Sequence, residues 1–189
     1  MSNNKLYVGI SQGDSNGIGY EVIIKALADA RVLDFFTPVV YGSSKLFGYY
    51  RKTVHNIDNL DVYAINSARE AKPKKINIVN CLPDNVFVEP GQSTPEAARN
   101  AIQALECAVE DLKRGDIDVL VTAPINKRAM NAEGFNYSGH TEYLEKQLGI
   151  NEVLMFMVSE RLKIGVVTGR TSRGATSTCW SPHLSTSVR

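Results

Sequence analysis

The 189-residue sequence is poor in metal-binding and reactive side chains: it has three cysteines, three histidines and one tryptophan, and none of them cluster. Cys81, Cys107 and Cys179 are odd in number and form no C-x-x-C pair. This argues against a disulfide framework and fits a reduced, cytoplasmic compartment. His55, His140 and His183 show no H-x-x-x-H spacing, which excludes a self-contained zinc site of that kind. No apolar run approaches the roughly 18 residues of a membrane span, and the first five residues lead straight into a strand-like run with no long apolar export segment. An excess of one charge is missing as well. The 21 basic and 20 acidic residues leave a net charge of +1, so there is no broad field to hold nucleic acid or an anionic membrane. An anionic ligand has to be met locally.

With 43% hydrophobic and 22% charged residues, the composition is that of a globular protein with a sizeable core. Strand, loop and helix follow one another from the start: Leu6–Ile10 is an apolar run, Ser11–Gly17 gathers turn-forming residues, and residues 21–30 carry helical spacing. A second run, Pro38–Gly42, precedes Ser43 or Ser44 as a helix cap. Short strand-like pieces at 60–65, 76–79 and 86–88 read as edge structure or a small antiparallel section. The best-marked helix begins at Thr94 as N-cap with Pro95 in its first position, and Gly115 lies past its end. Asp118–Thr122 reads as a buried parallel strand covered on both faces. A helix over 142–148 and a hairpin flanking Ser159–Arg161 complete the regular part. From Arg170 the texture changes: nine of residues 171–189 are Ser or Thr, and none is acidic.

Two loops, Gly13–Gly19 and Thr122–Lys127, follow strands at positions where open α/β sheets bind ligands. The glycines of the first are spaced four and two apart, which is not G-x-G-x-x-G, and no P-loop Lys-Ser/Thr follows. The loop is therefore either a ligand contact or a tight turn in which Asp14, Ser15 or Asn16 caps the next helix. Ser138-Gly139-His140-Thr141-Glu142 brings an imidazole, a hydroxyl and a flexible amide to a helix start, a combination that can grip a phosphate or hydroxyl. Spacing alone leaves a plain helix cap open. Lys127 and Asp14 are minor candidates for lining the cleft.

Three segments in register, Gly9–Gly19, Val121–Lys127 and Tyr137–Leu144, resemble the 4-hydroxythreonine-4-phosphate dehydrogenases over residues 5–169. The resemblance implies a three-layer α/β/α fold of the isocitrate and isopropylmalate dehydrogenase kind, a homodimer, and a cleft for a divalent metal, NAD or NADP, and a phosphorylated hydroxy-acid substrate. It assigns His140 and Thr141 to substrate. The implied reaction oxidises a secondary alcohol to a ketone and then decarboxylates it, giving an aminoketone phosphate for pyridoxal phosphate synthesis. A metal in such chemistry stabilises the alkoxide and the enolate.

The resemblance also exposes departures. Where the family has its first metal histidine, this sequence has Arg170, and a guanidinium cannot ligate a cation. The other metal histidines and most cofactor contacts belong to a C-terminal half that this sequence lacks. The expectation is a truncated dehydrogenase over 1–169 that includes the start of a second domain, and an atypical Ser/Thr-rich tail over 170–189 that a frameshift or a premature end would explain. Turnover by this chain is predicted to be absent, and apolar surface left uncovered predicts self-association. The alternatives are a paralogous phosphothreonate or phosphoerythronate dehydrogenase and a non-catalytic phosphate-binding remnant.

Overall fold

The computed structural model describes residues 5–54, 57, 60–83, 85–150, 153–166 and 178–179. The chain divides into two compact units, residues 1–140 and 141–189. The first unit runs β1 (Leu6–Ser11), α1 (Gly19–Leu27), α2 (Val32–Phe35), β2 (Phe36–Gly42), α3 (Ser44–Thr53), β3 (Val62–Ile65), β4 (Ile76–Asn80), α4 (Pro95–Arg114), β5 (Val119–Thr122) and α5 (Lys127–Ala132). Its strands form one parallel sheet in the order β3-β4-β2-β1-β5. This is the α/β architecture that the resemblance implied.

Alternation along the strands builds a core on each face of the sheet. Val8, Ile10, Val40 and Ile78 pack with Ile23 and Ile24 of α1 and Phe47 of α3. Val39, Tyr41 and Val79 pack on the other face with Ala104 and Ala108 of α4 and with Ile117. Each fully buried aliphatic side chain contributes about 1.5–3 kcal/mol relative to its exposed state. Helix α4 can lie close to the sheet because its inward positions are mostly alanine. Its ends are those read from the sequence: the Thr94 side chain accepts from the Ala97 amide, Pro95 opens the helix, and Gly115 adopts φ +73° past the last turn. Ser43 caps α3 by accepting from the Leu46 amide.

Three expectations need correction. Strands β3 and β4 are parallel members of the main sheet, with only β3 at an edge, and residues 86–88 form no strand. Buried Asn77 supplies the reason. Its side chain holds the connection between these strands by accepting from the Lys72 amide at 2.8 Å and donating to the Lys72 and Lys75 carbonyls at 3.1 and 2.9 Å. Strand β5 is parallel but is an edge among the described residues, paired with β1 alone, so that Val119 and Val121 remain 43% and 48% exposed. Helix α1 begins after Ile18 with no side-chain cap, so neither Asp14, Ser15 nor Asn16 fills that role.

The second unit holds α6 (His140–Leu148), which starts on the last residue of the first unit, and an antiparallel sheet of β6 (Met155–Val158), β7 (Lys163–Val166) and β8 (Thr178–Cys179). The β6–β7 turn is closed by the Ser159 amide donating to the Leu162 carbonyl at 2.7 Å. The helix over 142–148 and the hairpin are thus where the sequence put them. The proposed boundary at Arg170 lies outside the described residues.

Candidate functional site

Strand β1 lies between β2 and β5, so the chain leaves it towards one side of the sheet and returns on the other. The carboxyl ends of β1 and β5 therefore flank a switch point, where open α/β sheets form their binding crevice. The loops after these two strands are joined directly: the Asp14 amide donates to the Pro124 carbonyl at 2.9 Å. Only glycine serves at position 13, because φ is +72° and a Cβ there would run into the Pro124 carbonyl oxygen.

The first loop is held from three sides. Within it, the Asn16 amide donates to the Asp14 carboxylate at 2.9 Å, an Asx turn. Beside it, the buried Asn16 side chain donates to the Gln92 carbonyl (3.0 Å) and the Thr94 hydroxyl (2.9 Å) and accepts from the Glu89 amide (2.9 Å). Beneath it, the Tyr50 hydroxyl donates to the Ser15 carbonyl at 2.6 Å, and Tyr20 donates to the Gln12 side chain. The Tyr20 and Tyr50 rings stack 5.5 Å apart, and burial pushes the Tyr20 hydroxyl pKa far up, so it stays a neutral donor. Asp14 thereby lines a narrow crevice with Ser93, Thr94, Asn126 and Met130.

His140 is held at the end of the neighbouring strand. Its Nδ1 lies 3.4 Å from the Thr122 hydroxyl at the carboxyl end of β5. Its Nε2 is buried and has no hydrogen-bond partner among the described residues. A buried imidazole nitrogen without a partner is costly unless a ligand or water meets it. Burial, and secondarily the charge of Lys127, lowers the His140 pKa below its ordinary 6.5. The ring is accordingly neutral near pH 7, with one nitrogen free to donate and one to accept.

Of the residues singled out from the sequence, His140 and Lys127 are near enough to interact, while Asp14 belongs to a crevice whose lining does not include His140. Thr141 follows His140 in the first turn of α6. Sequence reasoning missed Thr122 as the imidazole's neighbour and Asn16 as the loop's anchor, because both partners are far along the chain. It also left Cys81 and Cys107 apart. The fold brings these two free thiols together in a shared hydrogen bond that raises the pKa of Cys81 and lowers that of Cys107. Among the described residues no three His, Cys, Asp or Glu side chains are grouped to hold a metal, and His55, Arg170 and His183 lie outside them. These residues do not fit the divalent metal that the resemblance implied.

Residues 34–177 match the family of the pyridoxal phosphate biosynthetic protein PdxA. The chain belongs to this family. The match runs past Arg170. A 4-hydroxythreonine-4-phosphate dehydrogenase of Bacteroides thetaiotaomicron is 44% identical over 89% of this chain and 46% of its own length. A D-threonate 4-phosphate dehydrogenase of Cupriavidus necator is 33% identical, covering 89% of this chain and 50% of the relative. The crystal structure of a 4-hydroxythreonine-4-phosphate dehydrogenase from Burkholderia phymatum is similar with a TM-score of 0.74 at 34% identity, over 85% of this chain and 49% of the other. The chain thus spans about half the length of the PdxA relatives it matches.

Proposed function

We propose that this chain is the substrate-gripping half of a PdxA-family dehydrogenase, with His140 and Thr141 as contacts for a phosphorylated hydroxy acid. The observation that carries the reading is the buried, unpartnered Nε2 of His140 at the start of α6. The helix N-terminus offers amides and a positive dipole end to an anion, Lys127 adds a charge nearby, and a neutral imidazole N–H can donate to an anionic oxygen. The relatives' names share a phosphorylated four-carbon hydroxy acid, and the higher identity favours 4-hydroxythreonine phosphate over threonate phosphate.

In the whole enzyme, a nicotinamide cofactor would take the hydride as the alcohol becomes a ketone, and we place the reaction in vitamin B6 synthesis, in the cytoplasm, in a homodimer. No metal-dependent step is assigned to this chain, since its described residues offer no ligand set. Its own groups bind and orient the substrate's anionic end. Calorimetric titration of the 189-residue chain with 4-phosphohydroxy-L-threonine tests this: binding is expected, and His140→Ala is expected to weaken it by about tenfold or more. Equal affinity in both proteins would overturn the assignment. With NAD or NADP and a divalent metal added, no reduced cofactor is expected to form, and sustained formation would show that the chain is a complete catalyst.

A further inference from the structure

Thr122 is half-buried at the last position of β5, and its hydroxyl lies 3.4 Å from His140 Nδ1. We propose that Thr122 is a positioning residue that donates its hydroxyl proton to Nδ1 and so fixes His140 as the Nε2–H tautomer. The inference rests on the ligand reading above. A threonine hydroxyl can donate or accept, and a neutral imidazole presents one nitrogen of each kind. The geometry alone allows the bond in either direction.

The surroundings decide the direction. The other ring nitrogen, Nε2, is buried with no partner among the described residues, so it is the atom left to meet a ligand. The charge that acts on the ring favours an anion, since Lys127 is the charged group that bears on the imidazole. A deprotonated phosphate or carboxylate oxygen only accepts, so towards such an oxygen Nε2 must carry the proton. Nδ1 must then accept, and the Thr122 hydroxyl is the donor within reach. Such partners on the far nitrogen set the tautomer and ring orientation of functional histidines. The strand thus acts on the ligand through the ring. A valine of similar shape would keep the packing and lose the proton, whereas serine would keep the proton.

Nitrogen-15 spectra of the imidazoles, recorded above pH 7 on the full chain, read the tautomer directly. The wild type and Thr122→Ser are expected to show His140 with Nε2 protonated and Nδ1 bare, whereas Thr122→Val should show a mixture of tautomers. Backbone amide spectra of the same samples establish that each variant is folded. A wild-type ring protonated on Nδ1, or a Thr122→Val ring unchanged from wild type, would overturn the inference. Titration with inorganic phosphate separates the two claims. Loss of about tenfold in affinity in Thr122→Val, recovered in Thr122→Ser, supports both. A tautomer set by Thr122 with no phosphate-induced shift at His140 supports the positioning role and sinks the ligand reading.

Discussion

Strands β2 and β6 are both rich in apolar residues and end in opposite surroundings. In β2, Val39, Val40 and Tyr41 are wholly buried between layers of helix, whereas Met155, Phe156, Met157 and Val158 of β6 are 48%, 49%, 61% and 67% exposed. A hydrophobic strand is therefore not a core by itself; it becomes one when helices cover both faces, as α1 and α3 on one side and α4 on the other do for the parallel sheet. The exposed run is the kind of patch that drives association, in a chain that spans about half the length of its relatives.

The contrast is broken most sharply by paired truncations. Ile78→Ala, at a fully buried position of β4, is expected to cost about 3–4 kcal/mol in urea unfolding. Met157→Ala should change stability by less than about 0.5 kcal/mol while lowering self-association in sedimentation. Comparable losses from the two would mean that β6 is covered in solution. A smaller effect is expected at the loop. Asn16→Ala removes bonds to residues 89, 92 and 94 and should cost about 2 kcal/mol, with faster amide exchange at Gly91 and Glu89 than anywhere in the parallel sheet.

The smallest expected effect is a pH dependence. Because the folded pKa of His140 lies below its unfolded 6.5, the unfolded chain binds more protons in the window beneath 6.5. The associated stability is present in full above that value and is lost as pH falls towards the folded pKa. Lys127→Gln should raise the folded pKa and narrow the loss without abolishing it, since burial is the larger cause. Histidine proton shifts followed against pH would check this, and an unshifted pKa in Lys127→Gln would refute the coupling.

What was legible in the sequence was mainly local. Thr94, Pro95 and Gly115 mark the ends of α4 because each acts on backbone groups within a turn of itself, and the structure keeps all three roles. The parallel placement of β3 and β4 was not legible, since it depends on Asn77 gripping Lys72 and Lys75 and on pairing with a strand more than thirty residues earlier. Val119-Leu120-Val121 carries the composition of a covered strand, yet only its pairing shows that it is an edge among the described residues. At the site, the motif around His140 was visible, but the neighbour of its ring, Thr122, sits eighteen positions away on a different element.

The sheet order also has a consequence for the nascent chain. Strand β1 is synthesised first but lies between β2 and β5, so one of its edges must wait for residues 119–122 to leave the ribosome. Until then the strand is an open template, of the kind that invites wrong pairing during synthesis. The Asp14–Pro124 link between the two loops can close only when that wait ends. The carboxyl end of the β1–β5 pair is therefore assembled from the earliest and nearly the latest residues of the first unit, and it cannot become native before both have been made.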